Sequence, residues 1–166
     1  MIELRIIFYT ALKRKEVTMR ENITVGKAAE FRVASELLLR GYETYMATAD
    51  SGVDLILGNG KRIQVKSAHK TRMSGDHDAW RCKSYKFSFK SWRPKDGHFI
   101  ANSLDSIDFV ILWAIDDSIF FIIPAEKIRG KYTVRFNPDS TKQQSEFVAY
   151  RGKWELLNSE QNGGDA

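Results

Sequence analysis

Apolar residues recur at helical spacing from Thr24 to Arg40, where Phe31, Val33, Ala34, Leu37 and Leu38 fall on one arc and Arg32, Glu36 and Arg40 fall opposite. The spacing predicts a helix with Thr24 as N-cap and Gly41 at the C-terminal position that favours a left-handed backbone. Glu30 falls in the middle of the apolar arc. A carboxylate facing a core is costly unless it is paired, hydrogen-bonded or bound to a cation, although an acid near a helix start is also tolerated by the dipole.

Beyond the helix the period shortens to two, and Tyr42 to Ala49, Val53 to Leu57 and Arg62 to Ser67 read as strands. In the third of these Gln64 and Lys66 share one face, opposite Ile63 and Val65. Asp54 joins them only if the turn at Gly58, Asn59 and Gly60 has three residues, which pairs Leu57 with Lys61 and hence Asp54 with Gln64. A two-residue Asn59-Gly60 turn would set Asp54 opposite Val65 and scatter the polar groups.

Further along, Phe109 to Ile115 is nearly continuously apolar, as expected of a strand covered on both faces at a sheet centre. Asp116 and Asp117 form a turn, Ser118 to Ile123 returns as a strand, and Pro124 opens a short helix through Ile128. Asp105, Asp108, Asp116 and Asp117 sit where strands begin and turn, which makes them structural rather than metal ligands. Glu3 to Tyr9 reads as a short strand in an N-terminal extension over residues 1–20, and residues 158–166 as a disordered tail. The remainder is one domain spanning residues 1–157, its core starting near residue 22.

With 166 residues, 43% of them hydrophobic, the chain is one ordinary domain with enough apolar material for a core. Its apolar runs are too short to cross a bilayer, and the N-terminal basic cluster follows the apolar stretch, the reverse of a secretory signal; a cytoplasmic address is expected. Cys82 is the only cysteine, so disulfides and four-cysteine zinc sites are excluded. His69, His77, Cys82, Asp76 and Asp78 do not have zinc-site spacing, and no Walker loop, dinucleotide glycine pattern or G-x-S-x-G turn is present.

Charge is unevenly placed. The chain carries +5 overall, yet residues 61–95 hold eleven basic side chains against Asp76 and Asp78, a local balance of +9 on a body of −4. Such a stretch suits a polyanion, because each neutralised phosphate releases counterions. Lys70, Arg72, Arg81, Lys83, Lys86, Lys90 and Arg93 are the expected nucleic-acid contacts, with residues 69–79 a mobile loop able to close over DNA. Trp80, Tyr85, Phe87, Phe89 and Trp92 lie among them, either as stacking faces or as the inward side of an edge strand whose lysines face water.

If the longer turn holds, a helical carboxylate, a strand carboxylate, an amide oxygen and a lysine converge at one end of a small sheet. That set suits metal-assisted phosphodiester hydrolysis, since magnesium takes oxygen ligands from one or two carboxylates and keeps waters for the reaction. The plainer alternative is a half-exposed hairpin whose Asp54, Gln64 and Lys66 face solvent.

Glu30 on a helix, then Gly52-Val53-Asp54-Leu55-Ile56-Leu57, then Arg62-Ile63-Gln64-Val65-Lys66-Ser67 resembles the PD-(D/E)xK superfamily of restriction-endonuclease-like nucleases, in its QxK variant. The resemblance covers residues 24–67, and the later strands more loosely. It implies an α/β fold of αβββαβ type, a central mixed β-sheet flanked by helices. It also implies that Asp54 binds a metal, Gln64 stands at the second acidic position, the Val65 carbonyl completes the coordination, Lys66 is the motif lysine and Glu30 is an additional helical acid. Val53 replaces the motif proline, and Gln64 replaces an acid, which weakens cation binding or shifts it towards Glu30. The expectation is a magnesium-dependent endonuclease, manganese also serving, that acts on duplex or branched DNA as a homodimer or larger symmetric assembly. The rival expectations are a non-catalytic DNA- or RNA-binding module with the same fold, and an interaction protein with a charged edge.

Overall fold

The computed structural model describes residues 22–48, 52–72, 83–93, 97–137 and 145–158. The expected strand Glu3 to Tyr9, Trp80, Arg81, His77, Cys82 and the tail beyond Asn158 lie outside the described residues.

Helix α1 spans residues 22–39 and is followed by Gly41 at φ +86°. It packs along the stripe Ala29, Val33 and Leu37, all buried. Two details of the expected helix are corrected. Thr24 lies inside the helix rather than at its cap. Phe31 and Leu38 are 59% and 56% exposed, because they stand well round the helix from the stripe that meets the sheet. Glu30 lies at the margin of the buried stripe, with its side chain 17% exposed.

The main sheet has five strands: β1 (Thr44–Met46), β2 (Leu55–Leu57), β3 (Arg62–Ala68), β8 (Phe109–Ala114) and β9 (Ile119–Pro124), in the order β1-β2-β3-β8-β9. β3 and β8 run parallel and the other pairs antiparallel, so the sheet is mixed. β1 is shorter than the expected Tyr42 to Ala49. The remaining strands form a three-stranded sheet of β4 (Lys70–Arg72), β5 (Lys83–Ser88) and β10 (Thr133–Phe136), ordered β10-β5-β4, and a ribbon of β6 (Lys90–Arg93) and β7 (His98–Ala101).

Alternation along the strands builds two cores. On one face α1 covers Leu55, Leu57, Ile63, Val65, Ile111 and Ile122, and Trp154 and Leu157 of the 3₁₀ helix Trp154–Asn158 join the cluster. On the other, Val110, Leu112, Phe121 and Ile123 meet Tyr85, Phe87, Val134 and Phe136 of the three-stranded sheet. Helix α2 (Ala125–Ile128), opened by Pro124 as expected, and the 3₁₀ helix Glu146–Tyr150 complete that layer. β8 is thus covered on both sides, which explains its unbroken apolar run.

The aromatic residues of the basic stretch belong to this second core. Tyr85, Phe87 and Phe89 are at most 1% exposed, and Phe136 packs against Phe121 with ring centroids 4.3 Å apart. Burying each such side chain stabilises the fold by roughly 2–3 kcal/mol, so these three are structural and not stacking faces. β5 also lies between two partners rather than at an edge, because β10 arrives from more than forty residues downstream to pair with it. Within the expected mobile loop, Lys70–Arg72 is strand β4.

Candidate active site

Register decides which polar groups meet. Leu55 pairs with Ile63 and Ile56 with Arg62, and the Leu57 N–H donates to the Lys61 carbonyl at 2.9 Å, so the turn has three residues. The pairing stops at Leu55, however, and the Asp54 N–H donates to the Ile63 carbonyl at 2.9 Å, so the expected pairing of Asp54 with Gln64 is not formed. Gly60 closes the turn at φ +83°, a conformation that costs an L side chain strain. The three-residue turn is thus the one present.

β2 begins at Leu55 while β3 runs on to Ala68, which leaves the far end of β3 open on the β2 side. Asp54 fills the first part of that gap, its Oδ2 accepting from the Val65 N–H at 2.7 Å. A strand residue sends its N–H and C=O to the same edge, so the Val65 carbonyl also faces the open side. Gln64, only 6% exposed, donates through Nε2 to the Gly52 carbonyl at 3.1 Å, and Gly52 holds φ +76°. Its Oε1 is buried without a hydrogen-bond partner. Buried amide oxygens are nearly always satisfied, so this atom is available to a donor or a cation.

Glu30, Asp54, Val65, Lys66 and Ser67 line one open cleft of about 330 Å³, together with Asn22, Val25, Gly26 and Ala29 of α1. Gln64 stands behind its wall rather than in it. Glu30 takes an ion pair from Lys27, one helical turn earlier, at 2.5 Å, and this contact holds the Lys27 ammonium above its ordinary pKa. Lys66 is half-buried and makes no hydrogen bond or ion pair among the described residues. Burial pushes the Asp54 carboxyl above its ordinary pKa; the Val65 N–H opposes that, the Glu30 charge adds to it, and Lys66 and Lys27 oppose it. Two acids and two cations therefore sense one another across the cleft.

Among the described residues no cluster of three or more His, Cys, Asp or Glu side chains could hold a metal. A cation here would need two carboxylates supplemented by neutral oxygens. Asp54, Glu30 and the Val65 carbonyl could supply hard oxygens of the kind that magnesium or manganese takes, whereas the orphaned Gln64 Oε1 lies outside the cleft lining.

The other acids have structural tasks. Asp108 Oδ2 accepts from the Arg62 N–H at 2.7 Å, and Asp116 Oδ2 from the Lys70 N–H at 2.7 Å, which lowers the Asp116 pKa. Asp117 pairs with Lys70 Nζ at 2.9 Å, and its N–H donates to the Tyr85 hydroxyl, whose pKa is pushed up to about 12, chiefly by burial. Of the expected nucleic-acid contacts, Lys70 is tied down in this way with its side chain 18% exposed, Lys86 and Lys90 are exposed, and Arg72, Lys83 and Arg93 lie on β4, β5 and β6. Arg135 went unnoticed in the sequence because it lies outside the basic stretch; only the pairing of β10 with β5 sets it opposite Lys86.

The fold has a counterpart among solved structures. It is similar to that of a bacterial homing endonuclease, I-Ssp6803I, with a TM-score of 0.65 and 18% identity over 80% of this chain and 89% of that one. No protein-family model and no curated protein matches the sequence.

Proposed function

We propose that the chain is a magnesium-dependent DNA endonuclease of PD-(D/E)xK type, its site formed by Glu30, Asp54, Gln64, Val65 and Lys66. The observation that carries this reading is the meeting of Asp54, pinned by the Val65 N–H, with Glu30 and Lys66 in one cleft. The fold shared with a homing endonuclease supports it.

In this reading Asp54 and Glu30 supply the charged oxygens, and the Val65 carbonyl and Gln64 Oε1 the neutral ones. A bound magnesium or manganese ion supplies a water of lowered pKa and neutralises charge on the phosphate oxygens. Lys66, unpaired beside Asp54, orients the attacking water or donates to the oxygen on which negative charge develops. Glu30 remains paired with Lys27 at the edge of the cleft. Cutting both strands of a duplex requires two such sites, hence a homodimer or larger symmetric assembly.

The test is a cleavage screen on linear, branched and supercoiled DNA with magnesium or manganese, run with the wild type, Lys66→Ala and Asp54→Ala. Cleavage by the wild type, at least 100-fold weaker in both variants while Lys66→Ala still binds DNA, supports the reading. Cleavage that persists in Asp54→Ala overturns it. Binding without cleavage in any divalent metal also overturns it, in favour of a non-catalytic module.

A further inference from the structure

The three-stranded sheet turns Tyr85, Phe87, Val134 and Phe136 to the core and presents Lys86, Ser88 and Arg135 to solvent. Lys86 and Arg135 are register partners on antiparallel strands, and directly opposed side chains have Cβ atoms roughly 5 Å apart. Two like charges at that spacing destabilise a sheet. Neither is paired with an acid among the described residues.

The contrast with the rest of the surface is informative. Arg32 and Arg40 share Glu36, Lys27 has Glu30, Arg62 has Asp108, Lys70 has Asp117, Lys131 has Glu146 and Lys153 has Glu155. The strands Lys70–Arg72, Lys83–Ser88 and Thr133–Phe136 together carry five basic residues and no acid. Lys86 and Arg135 stand opposed on this sheet without an acid partner among the described residues. Repulsion of that kind is relieved when a polyanion lies across it.

We propose that Lys86 and Arg135 form a clamp for the phosphate backbone of duplex DNA, with Ser88 as a flanking hydroxyl donor; this rests on the endonuclease reading above. Duplex rather than single-stranded DNA follows from the aromatic residues. Tyr85, Phe87 and Phe89 point inward, so among the described residues these strands offer charge and a hydroxyl rather than the stacking surfaces that hold unpaired bases. Three strands about 4.8 Å apart make a slab about 10 Å wide, comparable with a major groove of about 12 Å. β4 continues β3 after His69, so the sheet begins about 13 Å along the chain from Lys66, at about 3.3 Å per residue.

The test measures binding of a labelled 30-base-pair duplex, and of one of its strands alone, in calcium over a range of salt concentrations. It compares the wild type with Lys86→Gln, Arg135→Gln, the double variant and Lys86→Arg, and melts each protein without DNA. The expected result is duplex affinity about five- to tenfold weaker in each glutamine variant at low salt. The salt slope falls by about one per lost cation, Lys86→Arg keeps its affinity, and the free glutamine variants melt no lower than wild type. Unchanged affinity and slope in both glutamine variants, with the wild type still binding and cutting, overturns the clamp and leaves the endonuclease reading standing. A wild type that binds no DNA overturns both. Tighter binding of the single strand overturns the duplex assignment.

Discussion

The Val65 N–H donates to Asp54 Oδ2 at 2.7 Å, across the strand pair that the turn at residues 58–60 sets in register. This bond fixes a carboxylate that is partly removed from water and faces a second acid, Glu30, in the same cleft. The site therefore holds its charge at a cost to the fold.

Because the folded pKa of Asp54 is raised, chiefly by burial, the native state holds this proton more tightly than the unfolded chain. Stability contributed by the proton is present below the ordinary Asp range and is lost as pH rises through the folded value. Asp54→Asn should thus melt higher than the metal-free wild type at pH 7, by about 2–4 °C for a gain of roughly 1 kcal/mol. The difference should vanish near pH 3. Scanning calorimetry at both pH values checks this, and an Asp54→Asn protein that melts lower at pH 7 contradicts it.

The same proton competes with any cation. Added magnesium or manganese should raise the melting temperature of the wild type more at pH 7 than at pH 4.5, since binding requires the ionised carboxylates. Thermal melts with and without 10-fold steps of metal give the readout, and a shift independent of pH argues against coordination by Asp54.

Gln64 tests the neutral ligand. Gln64→Glu places a carboxylate at a 6% exposed position, so the metal-free protein should lose about 2–4 kcal/mol at pH 7. Much of that loss should return with magnesium. Chemical denaturation with and without the ion measures both, and a loss that the ion does not reduce would place the Gln64 oxygen out of reach of the site.

The turn gives a purely structural check. Gly60 stands at φ +83° with open space around it, so Gly60→Val meets backbone strain rather than a clash and should cost about 1–2 kcal/mol. Activity below the melting point should be retained if the register holds.

The sequence made local patterns legible and long-range ones obscure. The α1 helix, β2, β3 and the parity of their turn could be read because apolar alternation and three glycine-rich residues encode them over a short span. β8 was visible as an apolar run, and the structural duties of Asp108 and Asp116 as the start of a strand and a turn. The pairing of β10 with β5 was not, since it joins residues more than forty apart, and no local signal specifies that partner. That pairing took β5 from an edge to an interior strand, buried Tyr85, Phe87 and Phe89, and brought Arg135 to Lys86. Phe31 and Leu38 misled for a related reason: periodicity gives the apolar arc, whereas the sheet beneath decides how much of that arc is covered.

One cation shared by Glu30, Asp54, Gln64 and the Val65 carbonyl is the centre of the proposed site. Titration calorimetry with manganese measures this directly, on the wild type and on Asp54→Ala at pH 7. One ion per chain in the wild type, with binding lost in the variant, is the predicted result. Equal affinity and stoichiometry in the two proteins would contradict it.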